Sequence, residues 1–412
     1  MTPARADICI IGGGPSGLVS AIQASERGAQ TAVLERMDRV GKKLLATGNG
    51  RCNFSNTRRE AEHFHGRCPD FIKPVLDQFG FDETLAFFQS IGMDWKADEE
   101  GRIFPVTDQA STVLNLLRYE TIRLKVKEIC GTEIIRIQKS VDGFVLQSKD
   151  NRAFACKKVI LSAGGKAAPN LGSNGSGYLL ARSLGHSIVE PFPAIVQIKV
   201  SASFLKKLKG IKVPAKVALV STSSSVDAKE GEVLFTDYGL SGLPILHLSR
   251  YVHPAIHDGQ KPVLELDLFP GKTSTDLQEE LEKKFRQLHY KKAGEACEGF
   301  LNKRMVSVLL PLAGVDGTIS SEEIRPPDIK RFVQILKRWQ IDISGTLSWN
   351  EAQVTAGGIS TDEIRPETLE SKIVPGLFFA GEILDIDGDC GGYNLQWAWS
   401  SGTVAGMHAS RG

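Results

Sequence analysis

Short, fully apolar runs alternate along the chain with stretches of helical periodicity, and their order predicts its elements. In "DICIIGGGPSGLVSAIQASERGAQTAVLER" the run Ile8 to Ile11 predicts a buried strand, and glycines follow it. Ser16 to Arg27 then predicts a helix closed by Gly28, and Thr31 to Leu34 a second strand, so the segment reads as one βαβ unit. Val159 to Ser162 predicts a further strand ahead of Gly164 and Gly165, and Tyr178 to Leu184 a helix. Near the other end, Leu377 to Ala380 predicts a strand and about Asn394 to His408 a helix. The texture between them differs. From about Pro191 short strands and turns dominate, and Leu264, Leu266 and Leu268 alternate with Glu265 and Asp267 at period two, as in a half-buried sheet or barrel. Thr275 to His289 sets Leu277, Leu281, Phe285 and Leu288 on one helical face, and Ile329 to Trp339 repeats the pattern with Ile329, Phe332, Val333 and Leu336. The expected division is a discontinuous first domain at 1–190 and 346–412, a barrel-like insert at 191–272 and 341–345, and a helical subdomain at 273–340.

Composition narrows the function classes. At 412 residues and 42% hydrophobic content the chain is long enough for more than one globular core. Lys plus Arg total 50 against 48 Asp plus Glu, a formal charge of +2, so no overall field draws a polyanion and no nucleic-acid partner is expected. The lysine runs at Lys206, Lys207, Lys209 and Lys212, and at Lys283, Lys284, Lys291 and Lys292, read as solvated faces. No apolar run approaches the roughly 20 residues that span a bilayer, so no membrane association is expected. Met1 to Asp7 shows no secretory address. Seven cysteines without a C-x-x-C pair argue against a disulfide framework or zinc ribbon, and a reducing cytoplasm is the expected location. His63 and His65 have no carboxylate or cysteine at ligand spacing, so they read as surface residues and no metal is expected.

Gly12, Gly14 and Gly17 match G-x-G-x-x-G between a strand and a helix. The first glycine permits the tight turn, the second lets a pyrophosphate approach the backbone, and the third lets the helix pack on the strand. The helix N-terminus offers free N–H groups to phosphates. Glu35, about 20 residues further on, is placed to accept hydrogen bonds from an adenosine ribose. The motif predicts a dinucleotide, and three features favour FAD over NAD. The second strand runs into "GKKLLATGNGRCNFSN" rather than another regular βα unit. That loop alone is also compatible with nucleic-acid binding or a reactive thiol, whereas beside a dinucleotide fold it suits an extended cofactor. The strand at Val159 leads into Gly164 and Gly165 and a second glycine-rich turn, Gly172 to Gly177, which reads as ordinary loop. Finally, the helix after Gly388 to Gly392 aims its first N–H groups into a glycine-rich turn, suited to the negative charge of a reduced flavin.

The blocks "GKKLLATGNGRCNFSN", "LFTDYGLSGLPILHLSR" and "VTAGGISTDEIRPETLESKIVPGLFFAGEILDIDGDCGGYNLQWAWSSG" resemble the bacterial aminoacetone-oxidase-like family of FAD-dependent oxidoreductases, which includes flavoproteins that reduce dehydro bile acids. The resemblance spans most of the chain. It implies an α/β fold: a Rossmann-like FAD/NAD(P)-binding domain of the glutathione-reductase type, interrupted by an inserted β-barrel and helical subdomain, without a separate NAD domain. It assigns Gly12, Gly14, Pro15, Ser16, Gly17, Glu35 and Arg36 to the ADP half of FAD. Asn49, Gly50, Arg51, Cys52 and Asn53 lie along the flavin, with Lys43 and Arg51 offsetting pyrophosphate and reduced-flavin charge. Gly164 joins the cofactor set, and Gly381, Glu382, Gly392, Asn394 and Leu395 close over the ribityl and pyrimidine side. Cys390 departs from the polar residue common in relatives, and Cys52 reads as a packed thiol. The expected activity is hydride transfer between flavin N5 and a small organic substrate held under the insert. Its direction is open between amine or aminoketone oxidation and NAD(P)H-driven reduction of an unsaturated ketone, with NAD(P)H a transient reductant. The alternative is an RNA-associated flavoprotein related to tRNA-modifying enzymes. No catalytic acid or base is assigned; Tyr393, Asp237 and Tyr238 are candidates for the substrate side. The sequence leaves the oligomeric state open.

Overall fold

A computed structural model describes residues 4–221 and 225–411; Met1 to Pro3, the first part of the segment read for an address signal, lie outside them. Strand β1 (Ala4–Ile11) leads through the glycine turn into helix α1 (Pro15–Glu26), whose first position is a proline with its φ already set for a helix. Strand β2 (Thr31–Leu34) returns parallel to β1, with Ile8 opposite Thr31 and Ile11 opposite Leu34. The turn needs glycine at position 12: its φ is +105°, and a Cβ there would stand 2.5 Å from the Ser162 carbonyl oxygen. Strand β3 (Lys127–Ile129) flanks β2. The hairpin β4 (Ile134–Ser140) and β5 (Gly143–Ser148) then feeds strand β6 (Ala153–Leu161), which runs parallel to β1. Helix α2 (Ser176–Ser183) follows β6.

The chain divides into two compact units, one of residues 4–194 and 349–411 among those described, the other Ile195–Ser348. In the second, β7 (Ile198–Val200), β8 (Lys212–Val220), β9 (Ser225–Phe235) and β10 (Gly239–Ser241) precede helix α3 (Leu243–His257) and β11 (Val263–Asp267). Helices α4 (Ser274–Gln287), α5 (Lys303–Leu312) and α6 (Pro326–Lys337) come before β12 (Trp339–Thr346). The strands close a barrel in the order β7-β10-β9-β8-β11-β12, and one apolar core joins its interior to the helices. Helix α4 starts on a capping box in which the Thr273 hydroxyl accepts from Asp276 N–H, and it buries Leu277, Leu281 and Phe285. The helix expected over 329–339 stops at Lys337. Trp339 sits at helical spacing, but it opens β12 opposite Leu266 and stacks on Phe235 in the barrel core.

Back in the first unit, strand β13 (Leu377–Phe379) pairs with the last residues of β6, whose first residues pair with β5. Among the described residues this completes a seven-stranded sheet, β3-β2-β1-β6-β5-β4 with β13 on β6. Helix α7 (Tyr393–Ala409) is buried along nearly its whole length and packs on α1. Small residues allow that approach: a Cβ at Gly402 or Gly406 would come within 2.5 Å of the Ser16 or Ser20 carbonyl oxygen. Ser20 Oγ lies 2.8 Å from the Gly402 carbonyl, to which it donates. The observed architecture is the expected one, a Rossmann-type domain with a closed barrel inserted. No helix of the described residues is long and apolar enough to cross a membrane.

Candidate functional site

The sheet brings the sequence-predicted residues to the ends of β1, β2, β6 and β13. Glu35 directly follows β2, and its carboxylate is fixed from two sides: Gly13 N–H and Met37 N–H each donate to it at 2.7 Å. Gly14 caps α1 with open space where a Cβ would be, which is what close approach of a phosphate group needs. Gly17 packs so closely that a Cβ would stand 2.0 Å from the Gly12 carbonyl oxygen. Ser16 lies against Gly381, and the Gly381 N–H and C=O are both held by α7, through Ser401 Oγ at 2.9 Å and Trp397 Nε1 at 3.2 Å. Arg36 donates to the Gly172 carbonyl at 3.2 Å, so its guanidinium pins the second glycine-rich turn.

The loop after β2 forms a short helix (Lys42–Ala46) and a turn in which Gly48 and Asn49 are left-handed. Asn49, Gly50 and Arg51 are exposed, and the Arg51 guanidinium lies over the Phe104 ring at 4.7 Å. Cys52 is wholly buried, and burial pushes its thiol up to about 12, so the reactive-thiol reading of this loop lacks a thiolate at neutral pH. Asn53 Oδ1 is buried and has no hydrogen-bond partner. It points at Gly392, where a Cβ would come within 2.8 Å of it. Lys43 donates to Glu382 at 2.8 Å, and the other Glu382 oxygen accepts from Thr355 N–H at 2.9 Å. Lys43 is therefore paired with a carboxylate of its own chain rather than being a free cation.

In the turn before α7, Asn394 holds the chain with its side chain, accepting from Gly388 N–H at 2.9 Å and donating to the Gly388 carbonyl at 2.7 Å. Gly392 caps the helix in the left-handed region (φ +105°), and Leu395 is buried behind it. His63 and His65 are half-buried rather than fully exposed, because a distant carboxylate takes them up. They stand at opposite oxygens of Asp389, at 3.1 and 2.8 Å, and the His63 ring stacks on Tyr393 with centroids 4.4 Å apart. Their carboxylate lies 324 residues from His65 in sequence, which is why ligand spacing misses it. Among the described residues no group of three or more His, Cys, Asp and Glu is arranged to hold a metal ion. Cys390 sits in this turn, and burial pushes its thiol up to about 11. The Tyr393 phenol is raised above its ordinary range by burial and by the Asp389 charge, and it borders a cleft of about 230 Å³ with Asn56, Arg58, Phe64 and Gln396. Asp237, in the second unit, is exposed and taken up by an ion pair with Lys209 at 2.7 Å, and Tyr238 beside it is half-buried.

Sequence reading missed the polar frame that braces these parts. Gln396 accepts from Ser55 Oγ at 2.6 Å and donates to Thr84 Oγ1 at 2.7 Å, while Asn56 Nδ2 donates to the Gly391 carbonyl at 2.8 Å. The segments at Gly381-Glu382 and Tyr393 to Gln396 carry a glycine signal, whereas Ser55 and Asn56 close the glycine-rich block without any sign of their partners and Thr84 lies outside every motif. The whole fits a flavin dinucleotide: a fixed carboxylate at the ribose position, an open Gly14 at the head of α1, and an unpartnered Asn53 carbonyl oxygen facing the N-terminus of α7.

Comparison with known proteins agrees. The family described as HI0933-like protein Rossmann domain matches residues 6–408. A Clostridium scindens protein named 3-dehydro-bile acid delta(4,6)-reductase is 40% identical over 405 residues, 98% of each chain. A ribosomal RNA dihydrouridine synthase of Haemophilus influenzae is 28% identical over 411 residues, again 98% of each. In fold, the chain is similar to a 3-ketosteroid delta1-dehydrogenase from Sterolibacterium denitrificans, with a TM-score of 0.51 and 12% identity over 98% of this chain and 99% of that one. The resemblance drawn from the three sequence blocks is borne out, and with it FAD as the cofactor. The chain belongs to the HI0933-like family and is an FAD-dependent oxidoreductase.

Proposed function

We propose that this enzyme saturates a carbon–carbon double bond conjugated to a carbonyl in a small organic substrate, with NAD(P)H as the source of electrons. The observation that carries the reading is the 40% identity, over 98% of both chains, to the protein named 3-dehydro-bile acid delta(4,6)-reductase. A dihydrouridine synthase also adds two hydrogens across a double bond next to a carbonyl, so both relatives' names describe one reaction class. Bound FAD supplies the hydride. In this reading Glu35 holds the adenosine ribose, the first N–H groups of α1 face the pyrophosphate, and Asn53 and the N-terminus of α7 face the flavin's polar edge. The second hydrogen arrives as a proton, and Tyr393, which lines a cleft with Asn56 and Gln396, is the donor we assign.

A second reading, reduction of uridine in RNA, has the 28% relatives in its favour. The near-balanced charge and the pairing of Lys209 with Asp237 and Lys212 with Glu232 favour a small molecule instead. The test is anaerobic titration of the yellow protein with NADH or NADPH, followed by reoxidation with candidate acceptors. Bleaching by a nicotinamide and reoxidation by a 3-oxo-4-ene steroid acid, with a product two hydrogens heavier, supports the proposal. Reoxidation by uridine-containing RNA alone supports the second reading. Bleaching by an aminoketone with peroxide release, and by neither nicotinamide, overturns both in favour of amine oxidation.

A further inference from the structure

A proton donor on the substrate side needs a hydroxyl that no protein group occupies, so its direction has to be set by contacts to the ring that carries it. Tyr393 meets the first condition: among the described residues no hydrogen bond holds its hydroxyl, and the side chain lines the cleft with Asn56 and Gln396. Two ring contacts meet the second. The His63 imidazole stacks on the phenol, with centroids 4.4 Å apart and planes 22° from parallel, and the Phe64 ring meets it edge-on at 5.7 Å. Both rings come from neighbouring residues of one short segment, whose Phe64 and His65 pair antiparallel with Gly388 and Asp387 in the turn before α7.

Asp389 sets the imidazole in turn. Its Oδ2 lies 3.1 Å from His63 Nδ1 and its Oδ1 2.8 Å from His65 Nε2, so each carboxylate oxygen takes one ring. Its N–H donates to the His63 carbonyl at 2.8 Å, which ties the two residues by backbone as well as side chain. The other His63 nitrogen faces Glu60 at 3.6 Å, a looser contact to an exposed carboxylate. Asp389 is itself held by Asn394, whose Nδ2 donates to its carbonyl at 3.3 Å. We infer that Asp389 and His63 are positioning residues: Asp389 fixes the imidazole, and the imidazole face holds the Tyr393 hydroxyl towards the substrate in the cleft. The inference rests on the reading of Tyr393 as the proton donor. A half-buried carboxylate with its two imidazoles seldom adds net stability over apolar packing, whereas catalysis falls steeply when a reacting group is misplaced by about 1 Å, so a fixed direction is what the cluster supplies.

His63→Ala removes the stacked face, His63→Phe keeps a ring there, and Asp389→Ala frees the imidazole. Each is made in wild type and in Tyr393→Phe, and two things are read: FAD content with its visible spectrum, and kcat and KM for nicotinamide-driven reduction of a 3-oxo-4-ene steroid acid. In the wild-type background His63→Ala and Asp389→Ala are expected to lower kcat about tenfold, with KM within about twofold and FAD content kept, and His63→Phe to recover most of that loss. In Tyr393→Phe, where no hydroxyl is left to aim, the same two alanine substitutions change kcat by less than about twofold. Equal losses in both backgrounds overturn the inference, because the cluster then acts on the flavin or the fold rather than on Tyr393. Should His63→Ala not fold, His63→Leu, which fills the volume without a flat face, is read in its place by the same criteria. If Tyr393→Phe alone keeps the wild-type rate, or wild type does not reduce the acid, the reading of Tyr393 as donor falls and the inference with it. A slow Tyr393→Phe beside a full-rate His63→Ala overturns only the part played by His63 and Asp389.

Discussion

Cys52 combines a left-handed backbone, φ +62°, with complete burial, and it sits in the loop where a reactive thiol was one reading. Its thiol is pushed up to about 12 by burial, so the nucleophilic thiolate is scarce at neutral pH. Cys52→Ala is expected to keep the turnover rate within about twofold, and iodoacetamide on the folded protein is expected to leave residue 52 unmodified on peptide mapping. Rapid alkylation with parallel loss of flavin reduction would restore the redox-thiol reading. Tyr393 behaves in the opposite way, because its use is tied to staying protonated. If it delivers the proton, Tyr393→Phe lowers kcat by about 10²-fold while FAD content and visible spectrum stay as in wild type. A rate unchanged by the loss of the hydroxyl would move the proton source elsewhere, and Asp389 would then be left with a purely structural part in orienting His63 and His65.

At the scale of elements, the contact of α7 with α1 depends on two glycines at which helix propensity and packing pull in opposite directions. Gly→Ala inside a helix gains about 1 kcal/mol of propensity, whereas forcing a methyl group into a filled contact costs about 1–3 kcal/mol. At Gly402 the methyl group would meet a backbone oxygen of Ser16 at 2.5 Å, an obstacle that cannot rotate away. Packing therefore wins, and Gly402→Ala is expected to lower the denaturant midpoint; a raised midpoint would mean the two helices slide apart freely. These two helices were legible in sequence from apolar runs beside glycines, and so were β2 and β13 from short continuous apolar runs. The bracing around them was not. Gln396 meets Ser55 across 341 residues, and a serine or glutamine shows no local pattern that reports a distant partner. Trp339 failed for a different reason, since one apolar residue at the end of a helical stripe fits a helix or the first position of a strand equally well, and only pairing with Leu266 decides.

On the scale of the whole molecule, one buried histidine ties distant parts of the first unit together and gives its stability a pH dependence. The His186 side chain is fully buried; its Nδ1 lies 3.1 Å from Glu363 and its Nε2 2.8 Å from Ser371, with the Phe379 ring packed edge-on against it. Ser371 Oγ in turn accepts from Ile373 and Val374 N–H groups, so the imidazole joins the end of α2 to two points of the segment that leads into β13. Burial lowers the His186 pKa, and the attraction of Glu363 only partly offsets that. In the unfolded chain the imidazole titrates near its ordinary value of about 6.5. Between the two values the unfolded state holds the extra proton, so stability rises with pH there. The contribution is complete above about pH 6.5 and is lost as the pH falls towards the lowered native value. His186→Gln keeps hydrogen-bonding capacity but does not titrate. Wild type is therefore expected to lose more stability than the variant in urea melts taken from pH 7.5 down to 5.5, so that the gap between them narrows on acidification. Curves that stay parallel over that range would show that His186 keeps the same proton count folded and unfolded, and the pH sensitivity of the fold would have to come from other groups.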